Sequence, residues 1–403
     1  MKIVYTITGM YNSGGMERVL ANKANYLSHA KGVDGKSNKV IIITTDQKNR
    51  KPFFYLFEDV RCIDLGINYE DDAQLPLPFR LFATKKKKAI HRMRLRDVLL
   101  KEKADIVISM FDYDFDILCD VEDGSSKILE YHFSREAKMI EARSWLKRTI
   151  QSMRLKSWLK IIRKYDKFVV LTERDKRSWG DLPNIMVIPN YLPTFPDKLA
   201  PLNNKIVLSV GRLSYQKNFH LLIRAWSKVH IKCPDWRLVI RGNGDDKDSI
   251  IQLIDKLSLS ESVSLLPSTS QIASEYLNAS FLAMSSRYEG FPMVMLEAMA
   301  HGLPIVTVDY PCGASDVITN GLNGIVVGSS DSLGLANAII TLINDNANLR
   351  KMSVSARHKA EEYTESRVMG IWQNLFREIS SKSIFAFLYE YISINNNSMF
   401  QLW

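Results

Sequence analysis

Short apolar runs alternate with segments of helical period along most of the chain, and the alternation stops once, at a proline-rich stretch, before it starts again. That pattern belongs to parallel strands covered by helices, so an α/β fold is expected. In the first half Lys2–Ile7, Lys39–Thr44, Asp105–Ser109, Lys127–Glu130 and Lys167–Leu171 read as strands. In the second half Lys205–Val210, Trp236–Ile240, Val263–Leu266, Ala279–Met284, Pro304–Val308 and Gly324–Val327 do. Between them, IPNYLPTFPDKLAPLNN carries prolines at 189, 193, 196 and 201, which interrupt any regular element and mark a linker. A chain of 403 residues exceeds one ordinary core. Two doubly wound domains, 1–190 and 191–363, are the expectation. Ligands of such sheets bind in the crevice at the carboxyl ends of the strands.

The net charge of +10 favours a polyanion as partner: nucleic acid, nucleotide phosphate or anionic lipid. Cys62, Cys119, Cys233 and Cys312 are far apart and form no C-x-x-C pair, so neither a zinc site nor a disulfide framework is expected. A reducing cytoplasm suits such a chain. The opening MKIVYTITGM runs into a strand without a secretory cleavage pattern, and no apolar run reaches the ~20 residues that span a bilayer.

The most informative segment is SSRYEGFPMVMLEAMAHGLPIVTVD, Ser285 to Asp309. Pro292 suits the first turn of a helix and Gly302 its end, which predicts a helix over Pro292–His301 with Glu289 and Gly290 in the loop before it. The amides of Phe291, Met293 and Val294 would then point out of the helix start, where the macrodipole favours an anion. Glu297 follows roughly 8 Å along the axis, at about 1.5 Å per residue, which is the reach from a diphosphate to its ribose. Its neighbours Met295, Leu296, Ala298 and Met299 are apolar, so its carboxylate needs a partner. A capped, buried helix with a solvent-facing Glu297 is the plainer alternative.

The second segment is SVGRLSYQKNFHLLIRAW, Ser209 to Trp226: a strand, a turn at Gly211, then Arg212 and Lys217 before a helix. Two cations at the carboxyl end of a strand form a diphosphate clamp, and fixed positive charge there stabilises a departing nucleotide diphosphate. A solvated surface role is the alternative for either cation alone.

Together these segments resemble the retaining glycosyltransferases of family 4, also called glycosyl transferases group 1, of the bacterial capsule and O-antigen polysaccharide type. The E-x7-E pattern is Glu289 and Glu297, and G-R-L-x-x-x-K is Gly211, Arg212, Leu213 and Lys217. HGLPIV and GLNGIVV follow, with Gly302, Pro304, Gly313, Gly321, Asn323 and Gly324. MYNSGGMERVLANKANYLS is similar to the family's opening loop and helix, and LEYHFSR places His132 after a strand, so the resemblance covers nearly the whole chain.

The resemblance implies the GT-B architecture of two Rossmann-like domains with a cleft between them, and a terminal helix, Thr364–Phe387, that crosses back onto the first domain ahead of a tail at 388–403. It implies that Arg212 and Lys217 hold the diphosphate, Glu297 the ribose, and Glu289 with Gly290, Phe291, Pro292, Met293 and Val294 the donor sugar. Gly14 and Gly15 would let backbone approach donor or acceptor, His132 would lie near the donor sugar, and backbone near Leu265 to Pro267 would grip the base, with Gly242 and Gly244 in the turn of RGNGDD. Asp316 stands where many relatives have glutamate. Glu289, Lys217, Arg212 and His132 are thus the candidate catalytic residues. The donor is a nucleotide-diphosphate sugar, UDP-linked in preference, with no cofactor and no metal. FDYDFD, Phe111–Asp116, carries a D-x-D pattern but reads as a polar loop after a strand.

Between Glu141 and Lys164 stand eight Lys or Arg and one Glu, interleaved with Trp145, Leu146, Ile150, Met153 and Trp158. Leu81–Arg96 adds a second basic stretch. Both suit an anionic membrane surface, so a peripheral position at the inner face of the cell membrane and a lipid-linked glycan acceptor are expected. An ordinary core helix with a solvated basic side is the alternative. Two other functions share some of these features: a sugar-nucleotide epimerase of the same fold, against which E-x7-E argues, and a basic nucleic-acid-binding protein. The second lacks any RNP-like strand or helix-turn-helix signal, so no nucleic acid is expected.

Overall fold

The structure is a computed structural model and describes residues 1–31, 35–142, 144–311 and 313–380. Arg143 and Cys312, the end of the expected terminal helix beyond 380 and the tail at 388–403 lie outside the described residues.

In the first half, strands β1 (Lys2–Ile7), β2 (Lys39–Thr44), β3 (Arg61–Asp64), β4 (Ile106–Ser109), β5 (Ser126–Glu130), β6 (Lys167–Val170) and β7 (Ile185–Val187) form one parallel sheet in the order β3-β2-β1-β4-β5-β6-β7. Helices α1 (Gly15–His29), α2 (Leu77–Glu102), α3 (Phe115–Leu118), α4 (Arg135–Glu141), α5 (Trp145–Ile162) and α6 (Glu173–Trp179) connect them. The second half has β8 (Ile206–Val210), β9 (Arg237–Arg241), β10 (Val263–Leu266), β11 (Phe281–Met284), β12 (Ile305–Val308) and β13 (Gly324–Val327) in the order β10-β9-β8-β11-β12-β13. Its helices are α7 (Phe219–Lys232), α8 (Lys247–Lys256), α9 (Ile272–Asn278), α10 (Met293–Ala300), α11 (Ala314–Val317), α12 (Ser332–Asn344) and α13 (Asn346–Ala360). A last helix, α14, runs over 365–380. This is the α/β, GT-B arrangement of two Rossmann-like domains.

Strand β1 displays the reason for the layering. Ile3, Tyr5 and Ile7 point into a core shared with Leu20, Ala24 and Leu27 of α1, whereas Val4 joins Leu95 and Leu99 of α2 and Trp158 and Ile162 of α5 on the opposite face. Val368, Met369, Trp372, Leu375, Phe376 and Ile379 of α14 join the first of these cores, so the chain returns from the second half to the first. Leu192 makes an isolated bridge to Thr364 where the two crossings pass. Local signals set the helix starts. Ser134, Ser144 and Thr172 each accept a hydrogen bond from the amide three residues on, at the heads of α4, α5 and α6.

The strand order reverses between β1 and β4 in one sheet and between β8 and β11 in the other. These are the switch points at which doubly wound sheets leave a crevice. The loops that leave them carry Gly14 and Gly15, the FDYDFD segment, Arg212 with Lys217, and Glu289.

Two edge strands are absent from the sequence reading. β3 (RCID) is largely exposed and too polar to read as a buried run, and β7 (IMV) is three residues long.

Candidate functional site

Glu289 sits in the loop between β11 and α10 with its carboxylate buried. Lys217 Nζ is 2.7 Å from its Oε1, Ser286 Oγ donates to the same oxygen at 2.6 Å, and Gln216 Nε2 donates to Oε2 at 3.2 Å. Lys217 reaches it because β8 and β11 are neighbours and the turn after β8 curls over the switch point. Gly211 opens that turn and packs against the Lys217 side chain. Arg287 braces the loop, its amide donating to Gln216 O at 2.8 Å and its guanidinium stacked 4.0 Å from the Tyr215 ring. Arg212, on the same turn, is exposed, and its guanidinium has no hydrogen-bond or ion-pair partner among the described residues.

Helix α10 begins at Met293 with Pro292 at its N-cap, one residue later than expected, because Pro292 at φ −83, ψ 84 lies outside the helical region. The three amides expected to point outward are not equivalent: that of Met293 donates to Phe291 O at 3.0 Å. Gly302, at φ +79, ends the helix in the left-handed conformation expected of it. Glu297 projects from the middle of α10 with two partners. Tyr276 OH donates to its Oε2 at 2.9 Å, and Arg18 of α1 places Nη2 3.1 Å from its Oε1. Burial, and then the Glu297 charge, push the Tyr276 hydroxyl well above its ordinary pKa, so it stays a donor.

At the ends of β9 and β10, Gly242 N donates to Leu266 O at 3.0 Å, and a Cβ on Gly242 would lie 1.9 Å from Gly211 O. The Gly242 turn, the Gly211–Arg212 turn and the Leu265–Pro267 segment are therefore held against one another at one end of the second sheet.

From the first domain, His132 follows β5. Its Nε2 lies 3.0 Å from Glu130 Oε1, off the line of a straight hydrogen bond. Glu130 also takes the buried Lys23 ammonium at 2.6 and 2.7 Å. Burial raises the Glu130 carboxyl, but Lys23 and His132 more than reverse that and hold it at about 2. The His132 carbonyl packs against Gly290, where a Cβ would lie 2.2 Å from it. Gly14 precedes α1, close over the Glu17 side chain, and Gly15 has open space where a Cβ would stand. Gly15, Arg18 and Met293 line one small cavity between the domains.

His132, Gly290 and Glu289 are thus brought together with Lys217, and Glu297 with the start of α1. Leu265, Pro267 and Gly242 lie further along the same sheet end. Arg18, Lys23, Glu130, Gln216, Tyr276 and Ser286 were missed by the sequence reading. Glu130 stands inside the quoted LEYHFSR segment, and a carboxylate two residues before a candidate histidine is a usable signal. Tyr276 carries none, since only the packing of α9 on α10 brings it to Glu297. The FDYDFD carboxylates diverge: Asp112 accepts from Thr8, Asp114 from Thr6, and Asp116 pairs with Lys88.

Two parallel sheets whose switch-point loops meet, with the Lys217–Glu289 and Arg18–Glu297 pairs at that meeting, form the GT-B arrangement. A protein-family model for glycosyl transferases group 1 matches residues 193–361. An uncharacterized glycosyltransferase of Haemophilus influenzae is 30% identical over 380 residues, which is 93% of this chain and 99% of that protein. The amylovoran biosynthesis glycosyltransferase AmsD of Erwinia amylovora is 33% identical over 222 residues, 52% of this chain and 62% of that one. Among solved structures, a mutant of S. aureus TarM in complex with fondaparinux, alpha-GlcNAc-glycerol and UDP superposes with a TM-score of 0.71 at 17% identity, over 93% of this chain and 99% of that one. The chain belongs to the group 1 glycosyl transferases and is a glycosyltransferase.

Proposed function

We propose that the enzyme transfers a sugar, with retention, from a nucleotide-diphosphate donor to a lipid-linked glycan acceptor at the inner face of the cell membrane, in surface polysaccharide biosynthesis. The observation that carries this reading is the buried Lys217–Glu289 pair at the β8–β11 switch point, packed against the His132 end of β5. Lys217 and Arg212 take the diphosphate, Glu297 the ribose, and Glu289 with the Gly290–Val294 backbone the sugar hydroxyls. The backbone around Leu265 to Pro267 takes the base, and a UDP-sugar is the favoured donor, consistent with the UDP bound to the TarM neighbour. With two cations at the leaving group, no metal is needed to neutralise it.

The acceptor hydroxyl enters on the face from which the diphosphate leaves. Its oxygen bonds to the anomeric carbon as the carbon–phosphate-oxygen bond breaks, and its proton passes to a β-phosphate oxygen. The protein supplies position and fixed charge, and Glu289, engaged by three side chains, binds the sugar and is not the nucleophile. Lys217→Ala is expected to lower turnover by roughly two to three orders of magnitude. Steady-state assay of UDP release from a folded variant checks this, and near-normal turnover would refute the clamp. A thermal-shift screen of UDP-sugars against GDP-sugars identifies the base, since the bound ligand raises stability.

Support for the membrane comes from α2 and α5. Phe79, Phe82, Trp145, Leu146, Ile150 and Met153 are exposed beside basic residues, Trp145 at 78%. Among the described residues no helix is long and apolar enough to cross a membrane. Attachment is therefore proposed to be peripheral.

A further inference from the structure

The two basic segments of the first domain converge on one groove of about 710 Å³, bounded by α2 on one side and α5 on the other. Lys147, Gln151, Arg154 and Trp158 of α5 all line it, and their spacing of i, i+4, i+7 and i+11 places them in one stripe. Phe111, Phe115 and Trp158 make the floor, Phe111 stacked on Phe115 at 4.7 Å and edge-on to Trp158 at 5.0 Å. Phe111 holds φ +58, a left-handed conformation that an aromatic residue rarely adopts.

Three side chains of the stripe have unmet capacity. Gln151 Nε2 is buried in the wall without a hydrogen-bond partner. Neither the Lys147 ammonium nor the Arg154 guanidinium has a carboxylate partner among the described residues, and Arg154 lies 5.1 Å from the Trp158 ring. The other groove cations are committed, Lys88 to Asp116 and Lys138 to Glu141. The groove therefore offers two uncommitted cations with a buried amide donor on the intervening turn, which matches the charge and acceptor oxygens of a diphosphate. Leu146, Ile150 and Met153 form an exposed apolar ridge along the same helix. The groove also reaches the transfer site, because Tyr131 and Phe133, which line it, flank His132, and Glu141 on its rim accepts from Tyr288 OH at 2.8 Å.

We propose that this groove binds the diphosphate of a lipid-diphosphate-linked acceptor, with Lys147, Gln151 and Arg154 on the phosphates and the lipid chain leaving over the α5 ridge. The proposal rests on the transferase reading above and assigns the acceptor subsite within it.

The test titrates the full-length protein, saturated with UDP to fill the donor site, with farnesyl diphosphate, inorganic pyrophosphate and phosphatidylglycerol vesicles in turn. Wild type is expected to bind farnesyl diphosphate, and pyrophosphate more weakly. Lys147→Ala/Arg154→Ala should weaken both at least tenfold and Gln151→Ala severalfold, with vesicle binding reduced less than twofold. Unchanged farnesyl diphosphate binding in the double variant overturns the proposal. So does a loss of vesicle binding as large as the loss of farnesyl diphosphate, which would make the stripe a reader of bilayer charge. Lys147 and Arg154 are exposed and Gln151 is half-buried, and an unchanged melting temperature of each variant checks that it folds. UDP and GDP affinity in the wild type reports separately on the donor site: absence of both would sink the transferase reading and leave the groove result interpretable.

Discussion

Burial pushes the Asp114 carboxyl up to about 6; the Thr6 hydroxyl that donates to it opposes the rise and the neighbouring Asp112 adds to it. In an unfolded chain the same group titrates near 3.9. Between about pH 4 and 6 the folded protein keeps a proton that the unfolded chain releases, so stability falls as pH rises through that window and the cost is complete above it. Asp114→Asn keeps an oxygen for Thr6 and removes the charge. It is expected to raise stability at pH 7 by on the order of 2 kcal/mol and to leave stability at pH 4 little changed. Denaturant melts of both proteins at the two pH values check this; an equal difference at both would show that charge is not the cause. Glu130 is the opposite case. Held at about 2 by Lys23 and His132 against the effect of burial, it contributes stability above its unfolded pKa that is lost only as pH falls towards 2.

At the scale of elements, α14 contributes Trp372, which is buried in the core of the first domain with the Lys23 ammonium 3.6 Å from its ring centroid. The indole covers a buried cation as well as apolar surface. Trp372→Ala removes both, and a destabilisation of about 3–5 kcal/mol is expected, read from denaturant melts followed by circular dichroism. A cost under about 1 kcal/mol would mean that α14 is only loosely docked. Strands such as KVIIIT were legible because burial on both faces leaves a continuous apolar run. The exposed β3 was not, because its residues are chosen by solvent on one edge and by a single neighbour on the other. The site was legible to the same extent. Glu289, Glu297 and Lys217 carry a spacing that local geometry explains. Tyr276 and Arg18, the partners of Glu297, come from elements whose approach depends on tertiary packing, and no local pattern encodes that.

Among the described residues, polar contacts join the two domains: Arg18 with Glu297, Tyr288 with Glu141, and Arg174 with Asp309 at 2.8 Å. Polar contacts of this kind permit relative motion. A close approach of backbone to backbone accompanies them, where Gly290 lies against His132 and Phe133. A Cβ at Gly290 would stand 2.2 Å from His132 O and 3.2 Å from Phe133 Cα, and neither can rotate away as a side chain would. Gly290→Ala must therefore separate the Glu289–Gly290 loop from the β5 end, while the hydrophobic cores stay intact. Displacing aligned groups by about 1 Å can cost on the order of a hundredfold in rate, and a loss of that order is expected in turnover. UDP affinity should change little, because Lys217 and the Leu265–Pro267 segment proposed to take the base belong to the second domain alone. Small-angle scattering should show a larger radius of gyration than wild type, with the melting temperature kept within a few degrees, on the order expected when no core residue changes. Gly370→Ala, on α14 with open space around its Cα, serves as the matched control and is expected to be neutral or stabilising by roughly 1 kcal/mol. Full turnover in Gly290→Ala would mean that the contact between the lobes is incidental to transfer. Lost turnover with unchanged scattering would place the effect in the sugar loop itself, with the domains still closed.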